Sequence, residues 1–449
     1  MELELFKEKL FKKAKDEGFK EYEIYYNKGE SINISVYDSS IDKYNIEKSF
    51  GLSFRGKMND RMGYSFTEII DEDAIDMLIK NAKDAIEVIE NNDDQFIYSG
   101  DSEYKSIKTY HEKLEGIKAD KLIDIAISLE KEAKAYNKNV ININGCKVSY
   151  NTSEYGLSNS KGLNLSNKNN LLVAYVVPIV QYENRKYDGI GYKIARTLDE
   201  VKPKEIAKEG VEDAISKIGS KSIASKKYKG IINNEAMVSL IQTFSEIFSA
   251  DAVQKGLSLL KDKEGEIIAS KVLTLVDDPF LENGLGSASF DDEGVATYKK
   301  DIISDGKLNT LLYNLKTANK AKVKSTGNGF KSSYASAIGT SATNLYVKKG
   351  DYTFNELLKT LNEGVVITDF QGMHSGANSI TGDFSLAAKG YYVLNGKKEY
   401  PIEQITVAGN YFELLKSIEC IGNDLVFPMS SVGSPSVLVK SLSIAGKNK

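Results

Sequence analysis

Residues 22–67, YEIYYNKGESINISVYDSSIDKYNIEKSFGLSFRGKMNDRMGYSFT, place apolar side chains at alternate positions between turn-forming Gly, Asn and Asp residues. A period of two suits a pleated strand with one buried face, whereas an amphipathic helix repeats every 3.6 residues. The stretch therefore reads as consecutive antiparallel strands. Segments of the other period flank it. MELELFKEKLFKKAKDEGF predicts a charge-laced helix over 2–17, and DEDAIDMLIKNAKDAIEVIE predicts one over 71–90 with an acidic start. Further helices are predicted near 117–136 and 203–217. Between them, LLVAYVVPIV (171–180) reads as a buried strand broken by a proline.

A chain of 449 residues is too long for one ordinary core, so two domains are expected. GSKSIASKKYKG (219–230) marks the boundary, giving an N-terminal α/β domain over 1–220 and a C-terminal domain over 228–449. Beyond it, short strands alternate with Gly- and Asn-rich turns. DGK (305–307) and NGKK (395–398) predict hairpins, and a helix is predicted near 353–363. Helices mixed with antiparallel strands in both halves predict an α+β fold with a strand-rich C-terminal half, not a doubly wound sheet.

Lys and Arg number 59 against 63 Asp and Glu, which argues against a nucleic-acid binder relying on a generally basic surface. Cys146 and Cys420 are the only cysteines, so no disulfide framework or zinc ribbon can be built. Two lone thiols, no signal-peptide h-region and no long apolar run together predict a soluble cytoplasmic protein without a membrane partner. His111 and His374 are the only histidines. Zinc sites built on several imidazoles, and most Ser-His-Asp arrangements, are thereby restricted to two residues.

In SLIQTFSEIFSADAVQKG (239–256) the apolar residues Leu240, Ile241, Phe244, Ile247 and Phe248 follow helical spacing. On the other face Gln242 and Glu246 stand one turn apart, a spacing that can hold two ligands on one metal, yet neither is histidine. The plain reading is a polar helix face. FDDEG (290–294) lacks the alternating oxygen ligands of a calcium loop and reads as a solvated turn. STGNGF (325–330) lacks the lysine of a P-loop and also reads as a turn. QGMHSGANSITGDFS (371–385) sets His374, Asn378 and Asp383 among small residues. Such a loop can bind a peptide backbone or carboxylate, or its Asn and Asp can cap the chain's own amides. His111 reads as a surface residue and Cys420 as a small buried hydrophobe.

KGLSLLKDKEGEIIASKVLTLVDDP, SFDDEGVATYKKDIISDGKL, STGNGF, MHSGANSITGDFSLAAKGYYVLNGKKEYPI and ITVAGN followed by IGND resemble, in order and spacing over 230–445, the TldD/PmbA family of cytoplasmic proteases. The first half is similar more loosely, through YEIYYNKGESINISV, the Gly51–Gly63 hairpin and LSNSKGL. In the TldD branch a His-Glu-x-x-x-His helix and a cysteine near the C-terminus hold zinc. Those helix positions fall here on Ile241, Gln242 and Glu246, and FPMSSVGSPSVLV (427–439) offers serines but no cysteine.

The resemblance therefore implies the TldE/PmbA branch: a degenerate metal site, no cofactor and no activity of the chain alone. It implies a TldD-like zinc-bearing subunit as heterodimer partner, or self-pairing as a homodimer, and unfolded peptides as substrates to be degraded or trimmed. His374, Asn378 and Asp383 are the expected peptide contacts. The family label, modulator of DNA gyrase, implies no DNA binding. Two other classes stay open at this level: an independent hydrolase using Glu246, Asp383 or His374, and a peptide- or protein-binding modulator without proteolysis.

Overall fold

The computed structural model describes residues 1–88 and 95–447. Their helices and largely antiparallel sheets give the expected α+β architecture, divided into two units. The first comprises Met1–Ile215 together with Ala288–Thr297 and Asn314–Gly339; the second comprises Ser216–Ser287, Tyr298–Tyr313 and Thr340–Lys449.

The first unit is built on a seven-stranded sheet. Its strands are β1 (Glu21–Tyr37), β2 (Ser40–Met58), β3 (Arg61–Thr67), β4 (Val140–Asn159), β5 (Asn164–Tyr182) and β6 (Arg185–Asp188), in the order β3-β2-β1-β4-β5-β6, and β7 (Gly191–Ala195) also pairs with β5. Asp38 and Ser39, both at positive φ, close the long β1–β2 hairpin in two residues, as the right-handed strand twist favours. Helices α1 (Leu3–Asp16) and α2 (Glu72–Val88) bury Phe6, Leu10, Leu78 and Ala82 against Ile24, Leu52 and Phe54. The expected final residues of α2, Ile89 and Glu90, lie outside the described residues. Helix α3 (Ala119–Tyr136) buries Leu122, Ala126, Leu129 and Ala133 along β4 and β5, and α4 (Pro203–Ser216) follows β7. Proline does not end β5: opposite Pro178 the register of β4 shifts between Ile143 and Gly145, and this bulge absorbs the missing backbone donor.

The second unit centres on β8 (Lys226–Ile232), β9 (Gly364–Gln371), β10 (Asp383–Leu394), β11 (Lys397–Asn410), β12 (Ile418–Ile421) and β13 (Val437–Ala445). The order is β11-β10-β9-β8-β13-β12, and β11 pairs again with β13 through Thr406–Ala408. Five of the strands therefore form a closed ring, leaving little open edge. Asn395 and Gly396, at φ 51° and 69°, make the predicted β10–β11 turn. Helix α5 (Asn234–Phe244) follows β8. Helix α6 (Phe354–Leu361), held by a Thr353/Glu356 capping box, packs Leu357 and Leu361 against Ile231, Val366 and Leu438. Helix α7 (Tyr411–Ser417) follows β11, and five short strands, among them Leu275–Asp277 and Lys300–Ser304, form a separate small sheet. Among the described residues no helix is long and apolar enough to cross a membrane.

Candidate functional site

Helix α5 begins at Asn233, whose side chain accepts a hydrogen bond from Ala236 N. Its first turn is tied to the turn after β12: Asn234 Nδ2 donates to Asp424 O at 3.1 Å, and the Asp424 carboxylate accepts from Ser436 N and Oγ at 2.9 and 2.7 Å. The α-helix stops at Phe244 and tightens into a 3-10 turn over Ser245–Phe248. Its apolar face is inside. Met237, Leu240, Ile241 and Phe244 are buried, and Phe244 stacks on Tyr411 with ring centroids 4.4 Å apart.

This geometry separates the three helix positions singled out from sequence. Ile241 lies in the core at 1% exposure, while Gln242 and Glu246 face solvent. Gln242 Nε2 donates to Ser430 Oγ at 2.6 Å, and the same oxygen accepts from Val432 N at 2.9 Å. The serine oxygen is thus engaged by two donors, neither of them a base that could take its proton, so nothing there activates a nucleophile. Glu246 keeps much of its surface in water, but the protein around its carboxyl and the nearby Asp251 charge hold its pKa above the usual range, against Lys255. A primary amide, a hydroxyl and one carboxylate do not make a zinc site, which calls for imidazole or thiolate donors. Among the described residues no three His, Cys, Asp or Glu side chains gather as an ion site.

The 371–385 loop lies in the same unit, and Phe384 approaches Phe244 of α5 with ring centroids 6.3 Å apart. His374 is exposed on a one-turn helix, Met373–Gly376. Asn378 Oδ1 accepts from Ile380 N and Thr381 N at 2.9 and 3.1 Å, folding the loop on itself. Asp383 Oδ1 accepts from Asn410 Nδ2 at 2.9 Å, and this bond, with one from Thr381, lowers its carboxyl pKa. Asn410 in turn caps α7 through Phe412 N and Glu413 N. Gly382, at φ 81°, lies against the Phe412 ring, where a Cβ would come within 2.7 Å. All three residues are exposed; Asn378 and Asp383 hold backbone or neighbouring amides.

A second polar centre lies in the first unit and corrects the reading of FDDEG as a solvated turn. Asp291, Asp292 and Glu293 are all buried. Asp291 Oδ1 accepts from Glu293 N and Val295 N, and its Oδ2 accepts from Gly329 N at 2.8 Å. Asp292 Oδ2 accepts from Lys331 N at 2.8 Å, and Glu293 Oε2 accepts from Leu315 N at 2.7 Å. STGNGF supplies the close approach: a Cβ on Gly329 would stand 2.4 Å from Glu293 Oε2. Deeper in, Arg55 Nε meets Glu23 Oε1 at 2.6 Å, and Glu23 also accepts from Asn159. Burial raises the Asp291 and Glu293 carboxyls, opposed for Glu293 by the Arg55 charge. Burial pushes Asp292 up to about 6 and Lys331 down to about 8. Backbone amides engage each carboxylate through at least one oxygen, which makes this a structural knot, while Arg55 Nη2 is buried beside it without a hydrogen-bond partner.

His111 also departs from its reading as a surface residue. It is half-buried, its Nε2 is shut away from water, and burial followed by the Arg196 and Lys108 charges lowers its pKa. Arg55 carries no local sequence signal and becomes visible only through Glu293, far along the chain. Ser430 lies in the serine-bearing 427–439 segment, and its bond to Gln242 is what the structure adds.

Three family models match the chain: PmbA/TldA metallopeptidase domain 1 over residues 22–86, the central domain over 112–218 and the C-terminal domain over 225–446. A metalloprotease PmbA homolog from Buchnera aphidicola is 31% identical over 326 residues, covering 72% of this chain and 70% of that protein. A crystal structure from Thermotoga maritima, described as a DNA gyrase modulator, is 34% identical and superposes with a TM-score of 0.91 over 99% of this chain and 100% of its own. TldE from Thermococcus kodakarensis, at 21% identity, shares the fold with a TM-score of 0.88 over 98% of this chain and all of that one.

Proposed function

Because the chain belongs to the PmbA/TldD metallopeptidase family, we propose that it is a non-catalytic, TldE-like subunit of a cytoplasmic peptidase that degrades or trims unfolded peptides. Its partner in this reading is a TldD-like chain that would hold the zinc and supply the Lewis-acid chemistry. This chain's residues do not fit such an ion: Ile241 is in the core, Gln242 is hydrogen-bonded to Ser430, and Glu246 offers a carboxylate near Asp251 where zinc calls for imidazole or thiolate. The observation that carries the reading is the Gln242–Ser430 bond, a neutral contact between α5 and the 427–433 loop where catalysis would need a ligand set. The 371–385 loop, with His374 exposed beside a self-capped turn at Asn378 and Asp383, is the proposed peptide-facing element.

The test is hydrolysis of an unfolded peptide by the purified chain, alone and titrated with its zinc-bearing relative. Silence alone and activity saturating near equal amounts of the two subunits support the proposal. Turnover by the chain alone that survives a chelator overturns it. Within the complex, replacing His374 and Asn378 by alanine without loss of activity would remove the loop from the peptide path.

A further inference from the structure

Lys331 is a half-buried amine held by neutral partners. It ends the short strand Gly329–Lys331, in the same unit as β1 and β2. Its backbone is fixed by the knot, through the bond from Lys331 N to Asp292 Oδ2. Its side chain crosses to the sheet face carrying Tyr25 and Ser53, which are directly opposed on β1 and β2. There Nζ donates to Ser53 Oγ at 2.8 Å and to Tyr334 O at 3.5 Å. The buried Lys300 is treated differently, since it meets the Asp277 carboxylate at 3.0 Å. Lys331 Nζ has a hydroxyl and a carbonyl in that place.

Aromatic rings close in on this amine. Nζ lies 5.3 Å from the centroid of the Tyr25 ring. The turn after Lys331 brings Tyr334 down onto β2 where Gly51 has no side chain; a Cβ there would stand 2.1 Å from the ring. Tyr334 also packs edge-on against Phe66, and its hydroxyl meets Glu68. Lys331 nevertheless keeps part of its surface open. Burial and then the Arg55 charge favour the neutral amine, while Asp292, Glu23 and Glu293 oppose them; the balance leaves Lys331 at about 8. Burial raises the Tyr25 phenol, so the ring nearest the amine brings no charge.

We propose that Lys331 is a covalent carbonyl-binding site, its ε-amine condensing with a small aldehyde to form an imine. A neutral amine is a nucleophile and an ammonium is not, and a lysine set in an apolar enclosure beside another cation is prepared for that role. The step needs no co-reactant. The Nζ lone pair bonds to the carbonyl carbon, and one N–H proton passes to the carbonyl oxygen, giving a carbinolamine. The C–O bond then breaks as C=N forms, and the second N–H proton leaves with the hydroxyl as water. Ser53 Oγ, already bonded to Nζ, is placed to pass these protons from nitrogen to oxygen. The inference goes beyond the functional proposal and does not rest on it, since it needs neither zinc nor a second subunit.

The experiment is brief treatment of the folded full chain with limiting formaldehyde and cyanoborohydride, which traps each imine as a methylated amine, followed by peptide mass spectrometry. The Met1 α-amine is the internal reference, because such groups ordinarily titrate near roughly 8. At pH 7 Lys331 should react about tenfold or more faster than the exposed lysines, which are almost wholly protonated there. Its rate should rise with pH through a midpoint near 8. Asp292→Asn removes a charge that favours the ammonium and should lower that midpoint, whereas loosening of the site would raise it toward that of an ordinary lysine. Circular dichroism checks that this variant folds, and the wild-type measurement stands without it. Lys331 reacting no faster than exposed lysines, or only after unfolding in urea, overturns the proposal. So does a wild-type midpoint equal to theirs, or one that fails to fall in a folded Asp292→Asn chain.

Discussion

The two polar centres of this chain are opposite in kind. The knot around Asp291, Asp292, Glu293, Arg55 and Glu23 is charged and buried, and it lies within the first unit. The Gln242–Ser430 contact is neutral, at the surface of the second, at the place where the family resemblance puts metal chemistry. Burying charges is costly unless each finds partners, so the knot is a position where single changes are felt strongly. A neutral surface hydrogen bond carries a small net stability and can be lost cheaply. The strong electrostatics of the pair are thus in the buried knot, while the contact on α5 is a neutral hydrogen bond.

The largest effect expected from this contrast is at Arg55. Arg55→Met removes the cation paired with Glu23 in the interior and should cost about 3–5 kcal/mol in urea unfolding, as for other broken buried pairs. A cost near that of a surface substitution would erase the distinction between the two centres. The pH dependence follows next. Asp292 has a folded pKa of about 6, above its ordinary 3.8, because burial outweighs the Lys331 amide bond. Its contribution is fully present below its unfolded pKa and is lost as pH rises through about 6. The stability difference between wild type and Asp292→Asn should therefore shift against wild type by on the order of 3 kcal/mol from pH 4 to pH 7. A difference that is flat with pH would sink this assignment.

Smaller effects are expected in the second unit. Ile241→His puts an imidazole into a closed apolar position and should cost about 1–3 kcal/mol, with no gain in Tm on adding zinc. A zinc-dependent Tm gain would mean that α5 still presents a usable ligand direction. Smallest is Gln242→Ala, which should cost about 1 kcal/mol or less while speeding hydrogen exchange in the loop around Ser430 and Val432. Unchanged exchange would show that the loop is held by its other contacts alone.

Local sequence was informative wherever the physics is local. The helices at 3–16, 119–136, 203–216 and 354–361 fall within a few residues of where apolar spacing puts them, and the DG and NG turns at 305–306 and 395–396 close hairpins. Ile241 and Gln242 separate into core and surface because adjacent helix residues point about 100° apart. The knot was not legible, because three consecutive carboxylates look solvated until their partners are known. Those partners are the amides of Leu315, Gly329 and Lys331, and the guanidinium of Arg55 more than two hundred residues earlier. Their one trace was indirect: FDDEG and STGNGF both appear among the segments that carry the family resemblance. Likewise, the sequence shows Gln242 and Ser430 as two ordinary polar residues 188 positions apart.

The return of residues 288–297 and 314–339 to the first unit sets the order in which the chain can mature during translation. The Glu23–Arg55 pair is made early, but the carboxylates that share its interior arrive only when residues near 293 emerge, and their amide partners later still. At about 5–20 residues per second, roughly 6–25 s separate synthesis of residue 215 from that of residue 339. Over that interval the nascent first unit carries an incomplete interior and a long open strand edge. Its window for chaperone binding and for mispairing is therefore written into the threading of the chain, independently of how stable the finished protein is.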